Sequence, residues 1–319
     1  MATVTHAAPG PLLRARRWAS GFRDRETWAA FAFLSPWMFG FVVFTAGPII
    51  ASAILSFTDY SVIQATHGVG FRNYHDLIHD PYVRSALRNT FVYTVMSVPS
   101  HIAVALALAL LLQRVGRAAG FFRTVFYLPV MTPAAAIGIL YLLVFNGSYG
   151  IFNRGLELIG VHGPFWTTDP HWVKPGLVLM SSVWAVGSTV VILLAALMGV
   201  PQHLYEAAAM DGASRWRRFK DVTLPMISPA LFFVVIINTI AGLQTFDQVY
   251  VAFFNASTPY GTDASLMYVI YLFQQAFTFF HMGYASALAW LLFLVIAIVT
   301  AVQIVVSRRF VYYEGQARG

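Results

Sequence analysis

The chain has 319 residues, of which 58% are hydrophobic and only 10% charged, with a mean hydropathy of +0.67; this composition excludes a soluble globular domain and places the protein in a bilayer. The net charge of +7 comes largely from arginines clustered at the ends of apolar runs, as membrane topology requires, and so points to no nucleic-acid partner. With no cysteine, disulfides, thiolate metal sites, iron–sulfur clusters and cysteine nucleophiles are excluded.

Residues 1–27 carry Arg14, Arg16, Arg17, Arg23 and Arg25. The apolar run that follows is about twice the length of a signal-peptide core and has no evident cleavage site. The expectation is a basic cytoplasmic tail that leads into an uncleaved first membrane helix.

A hydrocarbon core about 30 Å thick needs about 20 apolar residues in a helix, because lipid offers no partner to an unpaired backbone group. Six segments qualify: 28–57, 87–112, 121–145, 173–200, 226–246 and 282–307. The predicted fold class is an all-α polytopic membrane protein, with a single six-helix domain over 28–307 and a short tail over 308–319.

Orientation follows from the basic residues. Fifteen of the twenty lysines and arginines fall on one side: the five above, then Arg114, Arg117 and Arg123, then Arg215, Arg217, Arg218 and Lys220, then Arg308, Arg309 and Arg318. Arg72, Arg84, Arg88, Arg154 and Lys174 fall on the other. The split predicts that both termini and the segment 201–225 are cytoplasmic.

Away from their ends the spans hold no Asp, Glu, Lys or Arg, whereas ion-coupled carriers commonly keep such a group inside the bilayer. His101 is the one histidine well inside a span and reads as a hydrogen-bonding residue between helices rather than a proton relay. No GxxxxGK[ST] loop occurs, and Gly68-x-Gly70 lacks the third glycine and the strand–helix setting of a dinucleotide site, so any ATP that drives this protein is bound by another chain. His75 and His79 are spaced by four but have no evident third metal ligand, and no GxSxG elbow is present. No catalytic residue and no metal site are expected.

The stretch "YEAAAMDGASRWRRFKDVTLP", residues 205–225, is the most hydrophilic between two apolar spans. Pro201 suits a first helical turn and Gly212 the position after a last one, which leaves a helix of about three turns that is marginal alone in water. Ala207, Ala208 and Ala209 make its surface shallow, with Leu204, Tyr205 and Met210 as apolar area and Glu206 and Asp211 as polar groups. By spacing alone, a connector lying on lipid headgroups stays open, with the basic residues touching anionic lipid. Leu224, Pro225 and Pro229 then open the fifth span as a stiff elbow.

Glu206-Ala207-Ala208, Asp211-Gly212-Ala213 and Leu224-Pro225 match the EAA…G…LP signature, and the chain resembles the membrane subunits of bacterial ABC importers. The runs "GFRNYHDLIHDP", "ALRNT", "FFRTVFYLPVMTP", "NGSYGIFN" and "FDQVYV" look like the carbohydrate-uptake branch of the maltose and glycerol-3-phosphate permeases. One departure stands at 252–259, where the outer loop reads "AFFNASTP" in place of a TxGGP-like turn.

The resemblance implies a type I ABC importer permease fold in the bacterial cell membrane, translocating a di- or oligosaccharide, a polyol or a glycerophosphate. It implies a second homologous permease, an extracytoplasmic solute-binding protein, and two cytoplasmic ATPase subunits that use ATP and Mg, with no cofactor on this chain. In that family the hairpin is the coupling helix, so Tyr205, Glu206, Ala207, Ala208, Met210, Asp211, Gly212, Leu224 and Pro225 are expected at the ATPase. Asn238, Gly242 and Thr245 share a helix face by their spacing, as do Trp184 and Ser188, and alignment on the motif brings both groups near the family's sugar site. The competing reading is that Asn238 and Ser188 bond neighbouring helices and Gly242 permits close packing. An importer of a non-sugar solute and an ion-coupled carrier acting alone are the alternative functions.

Overall fold

The structure, a computed structural model, describes residues 25–62, 66–116, 119–254 and 262–311. Arg14, Arg16, Arg17, Arg23, Arg117 and Arg318, the terminal stretches 1–24 and 312–319, and residues 255–259 of the divergent outer loop lie outside the described residues. Every regular element among them is helical, and strand pairing is limited to the isolated bridges Thr58–Gly68 and Ser61–His281.

Four helical runs are long and apolar enough to cross a membrane: Trp28–Leu55, Pro81–Arg114, Ser228–Phe253 and Met282–Ser307. The first comprises α1 (Arg25–Phe41), a π-turn (Val42–Ala46) and α2 (Gly47–Leu55). The π-turn falls immediately before Gly47-Pro48, where proline withholds the N–H that the regular ladder needs.

Helix α3 (Arg72–His79) precedes α4 (Pro81–Arg114), the central helix of the bundle. Asp80 caps α4 by accepting the Tyr82 N–H at 2.8 Å, and Pro81 occupies its first turn, where no donor is lost.

The segment expected as a third continuous span is broken. Helix α5 (Ala119–Tyr127) and the 3₁₀ turn Leu128–Met131 are followed by α6 (Ala134–Val144), with a bend of 95° between the two halves. The proline ring of Pro133 drives Thr132 out of the helical region to ψ 129°, the usual effect of proline on the residue before it.

Beyond α7 (Ile151–Glu157), the fourth expected span is likewise two helices, α8 (Val173–Trp184) and α9 (Val186–Met198), bent by 54° at Ala185. Gly187 sits at this bend, and a Cβ there would lie 2.9 Å from Tyr127 Cα. Only glycine lets α9 approach the α5 backbone so closely.

After the hairpin, α13 (Ser228–Leu243) runs through a short turn into α14 (Asp247–Phe253), followed by α15 (Tyr268–Phe273) and α16 (Met282–Ser307). Asp247, at the start of α14, is exposed.

Helices α8, α9, α13 and α15 pack around α4. Ala105, Ala109 and Leu112 of α4 join Val190, Leu193, Leu197 and Val234 in one apolar cluster near the hairpin. A larger cluster around Tyr93, Tyr141, Trp166 and Tyr268 fills the other end. There the Asp80 carboxylate accepts the hydroxyls of Tyr271 at 2.5 Å and Tyr284 at 2.7 Å, tying α4 to α15 and α16.

Candidate functional site

Two places gather the residues singled out by sequence: the hairpin 201–225 and a cleft beside α4. In the hairpin, Pro201 takes the N-cap position with ψ 130°, so α10 (Gln202–Met210) begins one residue later than a proline in the first turn would place it. Gly212 ends it with φ 74°. The Ala213 N–H donates to Ala208 O at 2.9 Å and the Gly212 N–H to Ala209 O at 3.1 Å, the paired bonds that close a helix through a left-handed residue.

Ser214 then starts α11 (Arg215–Arg218), its Oγ accepting from the Arg217 N–H at 3.3 Å. A π-turn (Phe219–Thr223) and α12 (Leu224–Met226) carry the chain into α13 with little interruption.

No residue of α10 is buried. Glu206, Ala207 and Met210 face outward, Met210 with 84% of its surface exposed, and Asp211 and Gly212 are exposed beside them. Ala208 is half-buried. Tyr205 turns the other way, and its hydroxyl lies 3.0 Å from Oγ1 of the buried Thr223. Leu224 and Pro225 are half-buried and line an apolar hollow of about 470 Å³ against Val306, Ser307 and Phe310 at the end of α16.

A wider hollow of about 750 Å³ opens between α4 and the hairpin, lined by Gln113, Arg114, Tyr205, Arg215, Trp216 and Arg218. Among the described residues no carboxylate pairs with these three arginines, so this surface is strongly basic.

The second place is a polar cleft of about 120 Å³ where α4, α8, α13 and α14 meet. From α13 it takes Asn238 and Gly242; Thr245 lines it too, but from the turn after the helix, which ends at Leu243, so the three do not share one helix face as expected. From α4 it takes Tyr93, Ser97 and His101, which sequence reasoning left out of the site. Their signal was present: Asn89, Tyr93, Ser97 and His101 recur at intervals of four and so form one polar stripe on a helix.

Val98, Ser181, Ala185, Ala241 and Gln248 complete the lining. Tyr93 of α4 shares the cleft with Ser181 of α8, Thr245 of the turn after α13 and Gln248 of α14. Asn238 Nδ2 donates to Val234 O at 2.8 Å and reaches Thr189 Oγ1 at 3.4 Å; Thr245 Oγ1 donates to Ala241 O at 3.3 Å. A Cβ on Gly242 would meet Thr94 Cγ2 and Oγ1 at 3.0 Å, so this glycine lets α13 close on α4.

Trp184 and Ser188 lie outside the cleft. The bend at Ala185 separates them, so their spacing of four does not produce a common face. Trp184 packs against the larger core cluster, while Ser188 is exposed and donates to Ala185 O at 3.3 Å.

The family described as "Binding-protein-dependent transport system inner membrane component" matches residues 101–312. The chain is 35% identical to the "Probable ABC transporter permease protein YesP" of Bacillus subtilis (strain 168) over 92% of its own length and 94% of that protein. It is 34% identical to the lactose transport system permease protein LacF of Rhizobium radiobacter over 86% of its length and 93% of that protein. Its fold is shared, at a TM-score of 0.78 and 23% identity over 90% of this chain and 97% of the other, with a subunit in the crystal structure of a bacterial alginate ABC transporter in complex with an alginate pentasaccharide-bound periplasmic protein. With a family match over more than half its length and relatives aligned nearly end to end, the chain belongs to the inner membrane components of binding-protein-dependent ABC transport systems.

Proposed function

We propose that this chain is the membrane-spanning permease subunit of an ATP-driven importer that carries a sugar across the bacterial cell membrane into the cytoplasm. It works with a second, homologous permease, two cytoplasmic ATPase subunits that bind ATP and Mg, and an extracytoplasmic solute-binding protein. Each bent helix pair counts as one crossing, which makes six spans within a single domain over 28–307. Both tails and the hairpin face the cytoplasm.

The observation that carries this reading is α10. It is a short helix, closed at its C-terminal end through Gly212, with no buried residue of its own, and a helix of that length needs a partner to persist. Its outward residues Glu206, Ala207 and Met210, followed by Asp211 and Gly212, are those that a seat in an ATPase cleft would cover. Its inward residue Tyr205 is tied to the helical run that becomes α13. Closure of the ATPase pair moves α10, and the elbow at Leu224-Pro225 passes that motion to the spans, so that access alternates between the two faces. The sugar reading is supported by the lactose permease among the relatives and by a cleft that is polar yet contains no Asp, Glu, Lys or Arg.

The test is reconstitution of the chain with its partner permease, ATPase and binding protein in proteoliposomes. Replacing Glu206 by Ala is expected to abolish sugar-stimulated ATP hydrolysis while membrane insertion persists. Import by the single chain, driven by an ion gradient without ATP, overturns the proposal.

A further inference from the structure

His101 is 5% exposed and lines the cleft, yet its Nε2 has no hydrogen-bond partner. A buried polar atom without a partner is uncommon in folded proteins and costs free energy unless something supplies the missing bond. The polar neighbours of His101 have partners: Ser97 Oγ donates to Thr94 O, Ser181 Oγ to Val178 O, Thr245 Oγ1 to Ala241 O, and the Asn238 amide nitrogen to Val234 O and Thr189 Oγ1.

Ala185 and Ala241 line the cleft and are exposed, as are Ser188 and Gln244 close to them in the chain. Exposed polar side chains here suit a hydrated path better than lipid, which gives them nothing to bond. At about 120 Å³, the cleft has room for a hydroxyl-bearing arm of a sugar and a water beside it. With no charged residue in the lining, a carboxylate, phosphate or sulfonate would be desolvated without a counter-charge.

We infer that the cleft floored by His101 is a specificity pocket for one uncharged, hydroxyl-bearing arm of the sugar, with His101 Nε2 as its hydrogen-bonding partner. The inference rests on the carbohydrate reading above and narrows it to neutral sugars. The ring travels along the exposed face of α9 and α13 while the arm dips between α4 and α13. His101 thus acts by contact with substrate, and Tyr93 and Asn238 hold the walls apart.

The test uses the full complex with its binding protein in proteoliposomes. Import of lactose, maltose and cellobiose is measured beside import of digalacturonate, and each imported disaccharide is compared with its 6-deoxy and 6′-deoxy analogues. Wild type is expected to import a neutral disaccharide, to exclude digalacturonate, and to disfavour one deoxy analogue by about tenfold in kcat/KM, the worth of one buried hydrogen bond. His101→Leu is expected to raise KM for the parent sugar by about tenfold and to erase the discrimination against that analogue, while His101→Gln restores much of both.

Import of none of these disaccharides by wild type defeats the carbohydrate reading, and the pocket falls with it. Import with unchanged KM and unchanged deoxy discrimination in both variants defeats the pocket alone. Failure of both variants to assemble with the ATPase assigns His101 to packing and equally overturns the pocket.

Discussion

The Tyr205 hydroxyl lies 3.0 Å from Thr223 Oγ1, and this single contact ties the inward side of α10 to the helical run that becomes α13. Thr223 Oγ1 also lies 3.4 Å from the Arg218 carbonyl, so the link closes the hairpin on itself. Tyr205→Phe keeps the ring and deletes the bond, at a stability cost of about 1 kcal/mol. Because a loosened strut transmits less displacement, sugar imported per ATP hydrolysed is expected to fall. An unchanged transport-to-hydrolysis ratio, with hydrolysis intact, would dismiss the strut.

Gly212 holds φ at 74° with open space around its Cα, so the demand on it is conformational rather than steric. Gly212→Val forces a β-branched side chain into the left-handed region, at about 1 kcal/mol or more. The end of α10 should fray, and the permease should lose its ATPase subunits during purification although it still inserts. Retention of the ATPase at wild-type stoichiometry would show that the cap is dispensable.

Gly242 and Thr94 test the closeness of α13 to α4. Gly242→Ala places a methyl 3.0 Å from the threonine side chain, and overpacking of that kind costs about 1–3 kcal/mol. The double variant Gly242→Ala with Thr94→Ala should recover most of the lost melting temperature of the detergent-purified complex. Additive losses would mean that the two residues do not meet.

At the end of the bundle away from the hairpin, burial opposes ionisation of Asp80. The hydrogen bonds from Tyr271 and Tyr284 and from the Tyr82 and Val83 N–H groups outweigh it, holding the pKa below the ordinary carboxylate value. A depressed folded pKa means that the stabilisation is full above the unfolded value, about 4, and is lost as pH falls through the lower folded one. Asp80→Asn keeps a capping side chain but weakens both tyrosine bonds. With the carboxylate partly solvated, the expected loss is about 1 kcal/mol. The gap in melting temperature between wild type and variant should narrow as pH is lowered from about 6 to about 3. A gap that stays constant would remove the carboxylate from the account.

Much of this protein was determined by short-range constraints that a linear reading registers. A run of about 20 apolar residues reports bilayer thickness, and α16 was expected over 282–307 and is found at Met282–Ser307. Gly212 announces a left-handed helix end because no neighbour is needed to make a side chain unfavourable there. The break at Thr132-Pro133 was equally local, although the segment was expected as one span, because apolar length alone does not register the steric effect of proline on the residue before it.

Other features were decided by residues far apart in the chain. Trp184 and Ser188 lost their common face because α8 and α9 bend at Ala185, where Gly187 meets the Phe126–Tyr127 backbone. His101 joined the cleft because Gly242 lets α13 close on Thr94 of the same helix. Local chemistry sets where a helix starts, stops and meets lipid; which polar stripe becomes a pocket depends on which helices are close enough to share it, and only the packed bundle decides that.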